Sequence, residues 1–158
     1  MTDYTDCPPL WIAVGENNVE EVRRLVLRGD NMDEKSSVFK CTPVHAAAMK
    51  GHNEILSILL TDYSREIMHN LHTPQDNSIG LSHSMLRHNE AHPAVYTTDP
   101  AESTPLHYAV QFHQKESALI LLQHGADVKA KDCSGTSVLQ YAVESSCSID
   151  LIRILLEH

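Results

Sequence analysis

The sequence has few aromatic residues, few cysteines and no long apolar run. Among its 158 residues are one Trp, two Phe and five Tyr, too few for the aromatic platform on which single-stranded nucleic acid stacks. The four cysteines show no Cys-x-x-Cys spacing, so we expect neither a zinc ribbon nor a thioredoxin-like redox site. No apolar run approaches the roughly 18 residues that a membrane-spanning helix needs, so no membrane contact is expected.

Basic residues are also scarce compared with acidic ones. There are 12 Lys and Arg against 21 Asp and Glu, which gives a formal net charge of -9. Such a chain gains little from neutralising phosphates, so nucleic acid is a poor partner and a protein with a basic surface is favoured. The first residues, MTDYTDCPPLW, do not form a secretory signal. We therefore expect reduced thiols in the cytoplasm, with the nucleus as the alternative.

The sequence lacks the common catalytic motifs. It contains no G-x-x-x-x-G-K-[ST], G-x-G-x-x-G, H-E-x-x-H or G-x-S-x-G pattern. The carboxylate pair Glu20 and Glu21 lies beside Arg23 and Arg24, which is typical of a solvated helix face. We therefore expect neither an enzyme nor a bound cofactor.

The sequence does contain a motif that occurs four times. The copies begin at Pro8, Thr42, Thr104 and Ser137, and the first two and the last two are 34 and 33 residues apart. Each copy predicts a helix that starts at or near a Ser, Thr or Pro and carries small residues. A break such as Asn17 or Gly51 then precedes a second helix with apolar residues at helical spacing.

The repeated motif resembles the ankyrin repeat. The match is nearly complete in Thr104–Ala109, TPLHYA, and clear in Thr42–Ala48, TPVHAAA. The first copy departs from the pattern at Pro8 and Trp11, and the fourth departs at Val138 and Gln140. The resemblance implies an all-α solenoid of helix-turn-helix units joined by short β-hairpin turns. A single domain, 1–158, is predicted to hold repeats at approximately 8–33, 42–63, 104–130 and 137–158.

Between the second and third copies the pattern fails. Thr73-Pro74 lies near the register of another repeat, but Gln75–Ser78 are polar where small apolar residues are needed. We therefore interpret 64–98 as an insertion, with a degenerate repeat as the alternative. Its first part, Ser64–Leu71, is expected to extend the preceding helix, and Ser82–His92 is expected to form a short helix before Pro93.

The insertion is rich in histidine. His88 and His92 are four residues apart, so one helical face could present both to a metal ion. No ligand pattern accompanies them, and we favour solvated side chains and predict no metal site. Metal binding or pH sensing remains an alternative function. His45 and His107 lie inside the repeated motif. For both, the resemblance implies a structural role, with each imidazole hydrogen-bonded to the backbone of a neighbouring hairpin.

Stacked repeats create an extended surface, and such a surface binds partners. The resemblance implies that the binding residues lie at the hairpin tips and after the small residues of each first helix. The candidates are Phe39, Met49, Lys50, Gln111, Phe112, Cys133, Ser134, Glu144 and Ser145. Phe39, Met49 and Phe112 are the large apolar members and the expected hot spots, unless a phenyl ring packs on the insertion instead.

These features predict a non-enzymatic protein-interaction module acting as an adaptor, scaffold or inhibitor. A substrate-receptor fragment of a ubiquitin ligase and a small inhibitor of a transcription-factor pathway are the alternatives. The sequence LIRILLEH ends inside an apolar second helix. We expect either that the sequence belongs to a longer chain or that another element covers this helix.

Overall fold

A computed structural model describes residues 7–70 and 93–158. Within them the chain forms short helices in pairs, and the all-α class is confirmed. In chain order the helices are α1 (Pro9–Gly15), α2 (Val19–Arg28), α3 (Pro43–Lys50), α4 (Asn53–Asn70), a 3-10 helix (Pro93–Tyr96), α5 (Pro105–Gln111), α6 (Lys115–Gln123), α7 (Val138–Glu144) and α8 (Ile149–Glu157).

Local chemistry sets where the helices begin and end. Capping boxes join Thr42 to the third residue of α3, and Ser137 to the third residue of α7. Asn17 follows α1 and Gly51 follows α3, with φ of 58° and 71°, in the left-handed region that ends a helix. Gly29 has φ of 87° and ends α2 in the same way. The helix boundaries predicted from these residues are confirmed.

The helix pairs stack in two rows. The inner row runs α1, α3, α5, α7, each packed on the next, and in the outer row α2 packs on α4 and α4 on α6. Ala47, Ala109 and Ala142 in the inner row are all 0% exposed. Their small side chains let neighbouring helices approach closely, as the repeated Ala predicted.

The second and third repeats stack directly on each other. α3 packs against α5, and α4 packs against α6. The chain returns through the 3-10 helix, whose Ala94 and Val95 are buried, and Lys35 Nζ donates to the Thr98 carbonyl oxygen at 2.7 Å. Whether 64–98 is an insertion or a degenerate repeat stays a prediction. α4 extends to Asn70 as expected, whereas Thr73-Pro74 and the predicted helix 82–92 lie outside the described residues.

The turn before each repeat contains a left-handed residue. Lys40, Glu102 and Gly135 each lie two residues before the N-cap residue of an inner helix, with φ of 54°, 58° and 79°. An L-residue in this region costs about 1–2 kcal/mol, whereas a glycine does not. Two of the three turns therefore hold a strained side chain where the third has glycine.

Replacing Glu102 with glycine is expected to stabilise the fold. The Glu102→Gly change should raise the free energy of unfolding by about 0.5–1 kcal/mol, because the strain released exceeds the added unfolded-state entropy. The measurement is urea unfolding at neutral pH. As the matched control, Gly135→Ala should destabilise, and a Cβ there would meet nothing within 4 Å. Equal midpoints for Glu102→Gly and the wild type would contradict this account.

Candidate partner-binding surface

A histidine on the inner helix of the second repeat ties that repeat to the third. In the second repeat the Thr42 backbone N–H donates to His45 Nδ1 at 3.3 Å, so Nδ1 is the unprotonated nitrogen. The proton is therefore on Nε2, which donates to the Ser103 carbonyl oxygen at 3.1 Å. Burial lowers the pKa of His45 to about 4, which keeps the imidazole neutral. The structural role predicted for His45 is confirmed. For His107 only the bond within its own helix cap is found, from the Thr104 N–H to Nδ1 at 3.1 Å; within the described residues its buried Nε2 makes no hydrogen bond to a neighbouring turn.

Trp11 occupies the corresponding position in the first repeat. Its side chain is 3% exposed and lies beside the thiol of Cys41, the residue before Thr42, just as Ser103 precedes Thr104. Burial raises the pKa of the Cys41 thiol, and the neighbouring Trp11 side chain partly opposes that shift. The residue that departs from the repeat pattern thus occupies the equivalent buried place, but it faces a thiol where His45 faces a backbone carbonyl oxygen.

The turns before α5 and α7 are built around buried or half-buried aspartates. Asp132 Oδ1 accepts from the backbone N–H of Ser134 and Thr136 at 2.9 and 2.8 Å, and Oδ2 accepts from Tyr141 Oη at 2.9 Å. The Thr136 N–H, followed by Tyr141 and Ser134, holds the pKa of Asp132 below its usual value. This carboxylate fixes both the turn and the tyrosine ring beside it.

Asp99 forms the same structure one repeat earlier. Its Oδ1 accepts from the N–H of Ala101 and Ser103 at 2.9 and 2.8 Å, and its Oδ2 accepts from Tyr108 Oη at 2.7 Å. The sequence signals the turn at Asp132 through its Asp-x-x-Gly pattern, but not the turn at Asp99, where Glu102 replaces the glycine. The usable signal was the equal spacing, since both aspartates lie five residues before an N-cap residue and nine before a tyrosine.

Two exposed phenylalanines are held by aromatic neighbours. Phe39, at the turn before α3, stacks on Trp11 with ring centroids 5.0 Å apart and planes 10° apart. Phe112, at the end of α5, stacks on Tyr108 at 6.4 Å and 3°. The two phenylalanines are 43% and 44% exposed. Both phenyl rings therefore stack on aromatic residues of the repeats, and both remain partly exposed to solvent.

The other candidates at the ends of the inner helices differ in their exposure and hydrogen bonding. Lys50 is exposed, but its Nζ donates to the Gly15 carbonyl oxygen at 2.8 Å and so joins the ends of α3 and α1. Met49 is half-buried, Gln111 and Glu144 are exposed, and Ser145 is half-buried at the end of α7. These helix ends form one edge of the candidate surface.

The turn tips form the other edge. Cys133 and Ser134 are both exposed, but their backbones are engaged: Cys133 N–H donates to the Ala101 carbonyl oxygen at 2.8 Å. This bond joins neighbouring turns into one row. We refer to the predicted binding surface as the concave face. It consists of the inner-helix ends and turn tips that carry Phe39, Met49, Lys50, Gln111, Phe112, Cys133, Ser134, Glu144 and Ser145.

Metal binding finds no support in residues 7–70 and 93–158. Within those ranges no group of His, Cys, Asp or Glu side chains is arranged to hold a metal ion. The pair His88 and His92 lies outside the described residues, so that hypothesis stays a prediction.

The family model for ankyrin repeats (3 copies) matches residues 10–132 and 77–158. The chain belongs to the ankyrin-repeat family, and it is accordingly a protein-interaction module of a generally non-enzymatic class. No helix in the described part of the chain is both long and apolar enough to span a membrane.

Several curated proteins are similar to this chain. The mouse B-cell lymphoma 3 protein homolog is 28% identical over 95% of this chain and 36% of that protein. Mouse ankyrin repeat and SOCS box protein 5 is 32% identical over 74% of this chain and 36% of its own length. Human ankyrin repeat domain-containing protein 13B is 43% identical over 38% of the chain and 9% of that protein. The matched region thus spans about a third or less of these relatives.

Proposed function

We propose that the chain binds a protein partner through its concave face and acts as an adaptor, scaffold or inhibitor. The observation that carries this proposal is the pair of stacked aromatic groups, Trp11 with Phe39 and Tyr108 with Phe112. A phenyl ring already held against a neighbour loses little side-chain entropy on binding, and exposed aromatic anchors are typical hot spots.

Hydrogen bonds hold the turns of the third and fourth repeats, including the tyrosine on which Phe112 stacks. Asp99 and Asp132 hold their turns through backbone N–H groups, and each also fixes the tyrosine of the following inner helix. A surface whose turns and rings are fixed before binding needs little reorganisation. The net charge of -9 favours a partner with a basic surface around its apolar contacts.

A second candidate is the substrate-binding part of a ubiquitin ligase. It is favoured by the similarity to ankyrin repeat and SOCS box protein 5, which covers 74% of this chain. In that role the concave face would hold the substrate. An inhibitor of a transcription-factor pathway uses the same surface. The free thiols of Cys7, Cys41, Cys133 and Cys147 suit a reducing compartment, the cytoplasm or the nucleus.

The test is affinity capture of partners followed by titration of the purified partner. Phe39→Ala and Phe112→Ala are each expected to weaken binding by about 30-fold or more, the loss of a hot spot worth about 2 kcal/mol. Lys50 is a poor choice for this test, because its bond to Gly15 also supports the fold.

Leu27→Ala is the matched control. Leu27 is 84% exposed, but it lies on α2 in the outer row. Its replacement should leave the dissociation constant unchanged, and circular dichroism must show that all three variants are folded. A partner bound equally by the wild type and both phenylalanine variants would refute the concave face as the site.

A further inference from the structure

The outward face of the fourth repeat is apolar and exposed. Val143, the sixth residue of α7, and Leu156, the eighth of α8, are 64% and 67% exposed. The residues at the same positions of α5 and α6 are Val110 and Leu122, which are 0% and 6% exposed. The fourth repeat therefore presents the apolar residues that the third repeat buries when the next helix pair packs on it.

A charged residue of α8 occupies the position from which Arg23 forms an ion pair with the next repeat. Arg23, the fifth residue of α2, forms an ion pair of 3.2 Å with Glu54, the second residue of α4. Lys115, the first residue of α6, pairs at 3.5 Å with Asp150, the second residue of α8, so the acidic partner is at the second position in both pairs. Arg153 is exposed and is the fifth residue of α8, the position that Arg23 occupies in α2.

The opposite end of the stack has a different character. The third and sixth residues of α2 are Glu21 and Arg24, which hydrogen-bond each other. In α4 the same positions are Ile55 and Ile58, only 0% and 7% exposed. The first repeat thus presents a polar surface, so a second copy packed head to tail would place this polar end on the apolar face of α7 and α8.

We propose that the outward face of α7 and α8 docks one further helix pair, in the register of a fifth repeat. The outer helix of that pair carries an acidic residue at its second position, which forms an ion pair with Arg153. Its inner helix lays small apolar residues against Val143, and its outer helix covers Leu156. The concave face is a different surface, so this assignment is independent of the function proposed above.

The test appends a helix pair to the full chain. Leu156-Glu157-His158 aligns with Leu122-Gln123-His124, which Gly125 follows. A copy of residues 125–158 joined after His158 therefore continues the repeat and presents its own copy of Asp150 to Arg153. The measured quantity is the rise in urea midpoint of the fused chain over the unfused chain. A rise of about 0.5 M or more, with a single cooperative transition and a larger m-value, is expected.

Charge variants test the register. Arg153→Glu should remove at least half of the rise, whereas Lys129→Glu, an exposed residue outside this face, should leave it unchanged. Changing the appended copy of Asp150 to Arg in the Arg153→Glu background should restore the rise. No rise on fusion, or equal losses for Arg153→Glu and Lys129→Glu, would overturn the proposal.

Sedimentation equilibrium of the unfused chain tests whether a second copy of the chain covers the face of α7 and α8 instead. A monomer is expected at micromolar concentrations. A dimer that is lost on Leu156→Glu but retained on Leu27→Glu would show that a second copy covers this face, and would also overturn the proposal.

Discussion

Lowering the pH from 7.5 to 5.0 is expected to reduce the free energy of unfolding by about 2 kcal/mol through His45 alone. Its pKa falls from 6.5 to about 4 on folding, because burial disfavours the imidazolium. Between these values the unfolded chain binds a proton that the folded chain does not, so stability decreases by about 1.4 kcal/mol per pH unit as the pH falls.

Other histidines act in the same direction. Burial also lowers the pKa of His107, against the opposing effect of the Thr136 backbone, and burial lowers the pKa of His124. Asp132 does not interfere in this window: its pKa is lowered, so its stabilising contribution is lost only as the pH falls further, below the usual aspartate range. The measurement is urea unfolding at several pH values from 7.5 to 5.0.

The chain supplies its own control for this titration. At the equivalent position of α7, Gln140 Oε1 accepts from the Ser137 backbone N–H at 2.9 Å, so a glutamine completes the cap without titrating. The double variant His45→Gln, His107→Gln should lose most of the slope of stability against pH, whatever its stability at pH 7.5. An unchanged slope would show that other groups cause the acid sensitivity.

Truncating Leu106 to alanine is expected to lower the free energy of unfolding by about 3 kcal/mol. Leu106 is 0% exposed in α5, which packs against α3, α6 and α7. Removing its isobutyl group loses the transfer free energy and leaves a cavity that packed helices fill only partly. Urea unfolding at neutral pH measures the loss.

Two leucines provide a graded comparison. Leu139 is the equivalent of Leu106 in α7 and is only partly buried, and Leu156 is 67% exposed. We expect Leu139→Ala to cost about 1 kcal/mol and Leu156→Ala less than about 0.5 kcal/mol. Equal losses at Leu106 and Leu139 would contradict the burial gradient between the third and fourth repeats.

Much of the fold was predictable because its determinants are local. The caps at Thr42 and Ser137 and the left-handed Asn17 and Gly51 act within a few residues of their own helix, so short motifs reveal them. The role of His45 was implied by the resemblance to the ankyrin repeat, and its bond to Ser103 confirms it. The family assignment confirms the resemblance that these motifs carry.

The candidate surface was predictable by position but not by contact. Phe39 was expected at an exposed tip, but its stacking on Trp11 joins residues far apart in the chain. Lys50 was expected to be available to a partner, and its bond to Gly15 depends on how closely α3 approaches α1. Whether these positions bind a partner stays a prediction until the variants are measured.

By itself the sequence determined the helix pairs, their caps and their period, because those depend on neighbours within one repeat. Only the tertiary structure decided that α3 packs directly on α5 across the segment 64–98, and that Leu122 is buried while Leu156 is open. These two leucines follow the same local pattern. Their exposure differs because burial depends on whether another helix pair lies against them, and that is a property of the stack.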